Sequence, residues 1–153
     1  MGIRGPWPNP SLQRKVTQKD VAPLMAVISG EITADVGAPI GVSNIAGRVV
    51  DVYLSLEERG RDDSNTHTLE MEVLLNGTTC LSTKPKIAAN NGSASDQATT
   101  LESGTGITQA VIDTSNYDVS PGDVFRYFGV LTRTASPTTE MADGAVVVVI
   151  EPY

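Results

Sequence analysis

One histidine, one cysteine and eighteen acidic side chains bound the chemistry open to this chain of 153 residues. His67 closes the polar stretch Arg59-Gly-Arg-Asp-Asp-Ser-Asn-Thr-His67, beside Asp62, Asp63 and Ser64. A nucleophile triad needs its three groups to converge from separated positions on a rigid frame. Three groups crowded into six residues of one loop are badly placed for that, so His67 reads as a solvated loop histidine. One His and one Cys cannot make a zinc site. Calcium has better candidates in the oxygen ligands Asp113, Asn116 and Asp118, or in the pair Asp62 and Asp63. Neither place follows the calcium-loop spacing with its distal Glu, and Asp and Asn also start turns by bonding their own backbone. Glycoside hydrolysis would need two acids facing each other across a cleft. Glu57 and Glu58 are neighbours, while Glu70 and Glu72 fall on the solvent side of their strand. The expectation is therefore no catalytic residue, no metal and no cofactor: not an enzyme.

The elements that would position these groups are strands. Apolar residues make up 40% of the chain and charged residues 19%, with Gly, Thr, Ser, Asn and Pro plentiful, a mixture that suits turn-rich β structure. From residue 23 the dominant period is two. Leu24 to Ser29 is a short apolar run, continued by Gly30 to Val36 or turning there into a second strand, and Gly37, Pro39 and Gly41 break the chain. Gly47 to Leu56 is the longest strand candidate, with Val50, Val52, Leu54 and Leu56 on one face. Leu69, Met71, Val73 and Leu75 alternate with Glu70, Glu72 and Leu74. Asn76-Gly77 then predicts a hairpin into Thr78 to Ser82, because both residues tolerate the positive φ of a type I′ turn.

Residues 83–105 read as a long surface loop, with a short helical turn near Asp96 to Leu101. It is either a contact loop or simply mobile. Ile107 to Ile112 is a strand, and turns follow at 113–118 and 119–123. Pro121 and Gly122 suit a type II turn. Val124 to Thr132 is an aromatic strand. The run Ala145 to Ile150, almost all valine, predicts a strand buried on both faces. About eight strands and no helix point to an all-β, single jelly-roll-like antiparallel sandwich over residues 23–153.

Residues 1–22 are a different material. Up to residue 20 they carry Arg4, Arg14, Lys15 and Lys19 against Asp20, about +3, whereas the remainder is about −10. Pro6, Pro8 and Pro10 punctuate the segment. Trp7, between two prolines, has no local core to enter, and large aromatics are the usual anchors of interfaces. An extended basic arm is expected to use Pro6, Trp7, Pro8, Arg14 and Lys15 as partner contacts. It would wrap its own body or a neighbour, unless it is a flexible terminus. The acidic body argues against nucleic acid as a partner, since phosphate binding needs clustered cations. Nothing approaches the ~18 apolar residues of a membrane span, no apolar stretch marks a signal peptide, and Pro6 sits where myristoylation expects Ser or Thr. The sequons at Asn76 and Asn91 read as turns. Cys80 has no partner for a disulfide and reads as a small buried strand residue. Phe125 and Tyr127 share one strand face, opposite Phe128, and read as core or subunit interface before sugar platform.

Val119-Ser-Pro-Gly-Asp123 entering an aromatic strand, followed by a glycine-flanked valine strand ending in Glu151-Pro152, resembles small virion proteins of tailed bacteriophages. So does the stretch from Gly47 through Leu56 to the Asn76-Gly77 hairpin. The resemblance covers roughly residues 44–153 and is most like the head decoration (cement) proteins. It implies a jelly-roll body, no catalytic residues, a homotrimer on the capsid exterior assembled in the host cytoplasm, and terminal arms that clasp the major capsid protein. Neither nucleic acid nor membrane would be a partner. The alternative from another class is a phage fibre tip or carbohydrate-binding module using Phe125 or Tyr127.

Overall fold

The structure, a computed structural model, describes residues 22–62, 66–90, 96–133 and 137–153. The partner-contact residues Pro6, Trp7, Pro8, Arg14 and Lys15 lie outside that set, as do Asp63 and Asn91. In chain order the strands are β1 (Ala22–Ile32), β2 (Val36–Val42), β3 (Gly47–Glu58), β4 (Thr68–Leu75), β5 (Thr78–Thr79), β6 (Leu81–Thr83) and β7 (Lys86–Ala88). Then come β8 (Ala98–Thr99), β9 (Ile107–Thr108), β10 (Val111–Ile112), β11 (Asp118–Val119), β12 (Val124–Thr132) and β13 (Met141–Pro152). No helix occurs among the described residues, so none is long and apolar enough to cross a membrane.

The strands form two large antiparallel sheets and a separate two-stranded sheet of β6 and β10. Of the large sheets, one is ordered β1-β13-β3-β11 with β8 also on β3, the other β2-β12-β4-β7-β9 with β5 on β4. The first and last strands pair side by side, β2 pairs β12, and β3 sits beside β13. Each long connection thus crosses from one sheet to the other, and the order is that of a jelly roll. The expected fold class holds.

The core lies between the inner faces. Leu69, Met71, Val73 and Leu75 of β4 are buried, as are Phe125 and Tyr127 of β12 and Val146, Val148 and Ile150 of β13. On β4 and β12 the alternation of these residues with half-exposed or exposed neighbours is the period-2 signal in the sequence. The Asn76-Gly77 hairpin is present, with φ of 50° and 85°, and Leu75 pairs with Thr78 across it. At the second turn the Asp123 amide donates to the Ser120 carbonyl over 3.1 Å and Gly122 has φ of 97°, as a type II turn requires.

Five expectations need correction. Val50 does not share the core face: Asp51 pairs with Val149 but Val49 with Ile150, so Val50 is the extra residue of a bulge, and Val49 takes its place inside. Gly37, Pro39 and Gly41 do not break the chain but lie within β2. That strand is bonded on one side only, to β12, and such a strand accepts a proline that cannot donate. Residues 83–105 contain β7 and β8, and where a helical turn was expected the chain forms β8 and then turns at Thr100 and Leu101. Ile107 to Ile112 is two strands with different partners, β9 on β7 and β10 on β6. His67 is not solvated; its burial is described below.

Candidate functional site

Two places concentrate chemistry or binding surface, and both sit toward the end of the sandwich where β3 finishes and β4 begins. The first is the buried cluster around His67. Its side chain is 1% exposed, and neither ring nitrogen has a hydrogen-bond partner among the described residues. Nε2 lies 3.9 Å from Glu140 Oε2. The other oxygen of Glu140 is ion-paired with Arg133 Nη2. Asp62, itself 5% exposed, accepts from Thr66 Oγ1 at 3.4 Å.

Long-range bridges pull this polar loop inward. Arg61 pairs with Asn90 on one side and Thr139 on the other. The Asp62 amide donates to Asn90 O at 2.9 Å, and the Ala89 amide donates to His67 O at 2.8 Å. Burial pushes the His67 imidazole below its ordinary value, and the carboxylates of Glu140 and Asp62 only partly offset that. A neutral imidazole so enclosed has no route to a bulk substrate, which removes the triad reading on a stronger ground than spacing. The missed signal was parity: His67 stands just ahead of β4 and two residues before Leu69, in phase with the inward-facing set of that strand.

The second place is the outer face of the β1-β13-β3 sheet. Cross-strand rows run Met25–Val147–Tyr53 and Val27–Ala145–Ser55–Thr99. Met25 is 60% and Val27 63% exposed, while Val147 between its neighbours is only 6% exposed. The valine strand is thus buried inward through Val146, Val148 and Ile150, and shielded outward at Val147. At the Val27 end the face dips into a groove of about 570 Å³ whose lining includes the aliphatic Val27, Ala145, Ala98 and Ile107. Glu57, Glu102 and Asp143 rim it. Among the described residues its one lining cation is Arg59, whose Nε donates to Ala88 O at 2.6 Å and Nη2 to Thr105 O at 2.5 Å. The expected contact loop 83–105 contributes one wall of the groove through Ala98, Thr99 and Glu102.

The outer face of the other sheet is more mixed. Phe128, Val130 and Val124 are exposed on β12, but Arg126 lies among them and Glu72 beside Phe128 is ion-paired with Lys84 at 2.6 Å. Phe125 and Tyr127 are buried in the core, so they supply no sugar platform. Asp113 accepts from the Ser115 amide at 2.9 Å and from its hydroxyl at 2.6 Å, which holds its carboxyl below the usual range. Asn116 Nδ2 donates to Thr79 O at 2.8 Å. These are turn-forming contacts, and no three His, Cys, Asp or Glu gather as a metal site among the described residues. Cys80 is buried, just between β5 and β6, and its thiol is pushed up to about 12 by desolvation.

No family model matches the chain, and no curated protein matches it. Among solved structures, it is similar to a chain in the structure of infectious bursal disease virus Gx strain, at a TM-score of 0.38 and 14% identity over 85% of this chain. The match spans 32% of the length of that viral chain.

Proposed function

We propose that this chain is a non-enzymatic virion protein that decorates a bacteriophage capsid and stabilises it by bridging subunits of the major capsid protein. It would sit on the capsid exterior as a homotrimer, assembled in the host cytoplasm, with residues 1–22 as the clasping arm. The observation that carries the reading is a single jelly-roll body with exposed aliphatic side chains on the outer faces of both sheets: Met25 and Val27 on one, Val124 and Val130 on the other. Exposed apolar side chains of that kind, grouped on the β1 face and interrupted by Arg126 on the β12 face, are what protein–protein contacts cover. The step from jelly roll to virion is an analogy of fold, since lectins and enzymes share the architecture. Against the carbohydrate-binding alternative stands the burial of Phe125 and Tyr127.

The mechanism is mechanical. Bridging two capsid subunits makes their separation expose buried surface, at ~25 cal/mol per Å² of apolar area less the cost of ordering the arm. An interface of standard size then adds several kcal/mol per site. The test is co-sedimentation of purified shells with the full chain and with a version lacking residues 1–20. Binding by the full chain that disappears with the arm supports the reading. Equal binding by both removes the arm from it, and saturable glycan binding with no affinity for shells replaces it.

A further inference from the structure

The groove on the outer face of the β1-β13-β3 sheet has a composition that selects its ligand. Its lining combines the aliphatic Val27, Ala98, Ile107 and Ala145 and some uncharged polar side chains with the exposed acids Glu57, Glu102 and Asp143, and the one cation among the described lining residues is held by two backbone carbonyls. A partner that fits must bring an apolar group and positive charge together. At about 570 Å³ the groove is within the range of sites that enclose a large side chain and its neighbours. The chain itself contains such a segment in Ile3-Arg4-Gly-Pro-Trp7, with Arg14, Lys15 and Lys19 behind it.

We propose that this groove is the seat for the Trp7-bearing segment of a second copy of the chain. Twenty-one residues precede Ala22, enough to reach up to about 70 Å when extended. β1 runs from Ala22 toward Val27, and Val27 lines the groove. The segment ahead of Ala22 therefore joins the body five residues from the groove-lining Val27. Its length spans to the groove of a neighbouring copy, and dilution separates that seat from one on its own body. Head-to-tail exchange of this kind closes into a ring when the rotation between copies allows, and a trimer is one such closure. The indole would sit on Val27 and Ala145, and the arginine would meet Glu102 and Glu57. This deepens the decoration reading by naming the arm's seat. Its test uses no capsid, so the seat and the capsid role can fail separately.

Trp7 is the only tryptophan and reports on the site directly. Emission and light-scattering mass are followed while the full chain is diluted. The expected result is a blue-shifted indole in the oligomer, moving red as the mass falls to the 16.1 kDa of one chain. Glu102→Lys reverses an exposed charge at the groove and should raise the dissociation constant roughly several-fold and reduce its salt dependence, and the exposed Val27→Glu should raise it further, each with an unchanged far-ultraviolet circular dichroism spectrum. Three results overturn the proposal: a monomer with a red-shifted indole at every concentration, a monomer with a blue-shifted indole that ignores dilution (the segment lies on its own body), or an oligomer indifferent to both substitutions.

Discussion

The two ends of β4 use polar side chains in opposite ways. At the Leu75 end the groups near the turns are satisfied locally: Asn76 Nδ2 donates to Asp123 Oδ1 at 2.9 Å, Asn76 Oδ1 accepts the Val124 amide at 3.0 Å, and Asp123 Oδ2 accepts the Ser120 amide at 2.7 Å. All of these stay near solvent. At the Thr68 end His67 is enclosed, with both nitrogens unpaired among the described residues, beside a Glu140 whose second oxygen is also unpaired. A buried polar group without a partner costs the desolvation that water would otherwise relieve. One end is therefore held by short, exposed bonds that each add little, and the other by packing that encloses a titratable group. The difference predicts where pH acts.

The largest effect tests the core next to the satisfied end. Phe125→Ala removes a fully buried ring paired with Leu75 and should cost about 3–5 kcal/mol in urea unfolding, with no pH dependence of its own. A loss below ~1 kcal/mol would show that the turn bonds, not the core, hold that end. Next is Gly47→Ala, where β3 begins. A Cβ there would lie 2.3 Å from the Glu151 carbonyl oxygen of β13, so the two strands must part, at a cost of about 1–3 kcal/mol or more.

His67 sharpens the comparison at the other end. Its folded-state pKa is depressed, chiefly by desolvation, so the unfolded chain takes up the proton first as pH falls. Stability should be complete above about pH 6.5, the ordinary histidine value, and decline as pH drops through it toward the folded value. His67→Leu should flatten the melting temperature between pH 7 and pH 5, while changing stability at pH 7.5 by no more than ~1 kcal/mol. A wild-type protein whose stability ignores pH across that window would mean that His67 is already paired. The smallest effect is at the turn: Asp123→Ala should cost about 1 kcal/mol near neutrality. The two bonds Asp123 accepts hold its carboxyl below the usual carboxylate range. Its contribution is present above that range and fades as the pH falls through its lowered folded value, so the variant and wild type should converge in acid below the ordinary carboxylate range.

Much of this was legible because it is local. The type I′ hairpin at Asn76-Gly77 and the type II turn at Pro121-Gly122 follow from which residues tolerate positive φ. The inward sets Leu69, Met71, Val73, Leu75 and Phe125, Tyr127 follow from side chains alternating along a strand. Those signals lie within a few residues, and nothing at a distance reverses them. The all-β class and the jelly-roll-like sandwich come from adding them together.

What tertiary structure alone decided depends on residues far apart in the chain. The bulge that moves Val50 outward is set by β13, about one hundred positions away. Pro39 stays in a strand because its sheet leaves that edge unbonded. The short pieces β7 and β8 exist because the long strands β4 and β3 offer them a ladder, and β9 and β10 because distant short strands, β7 and β6, pair with them. His67 looked solvated among polar neighbours, yet bridges from Arg61 to Asn90 and Thr139 draw its loop over it. The groove beside Val27 is built by β1, β3, β8 and β13 together. Spacing along a chain reports the conformation of each segment, whereas burial and concavity are properties of what packs against it, and only the assembled sheets supply that.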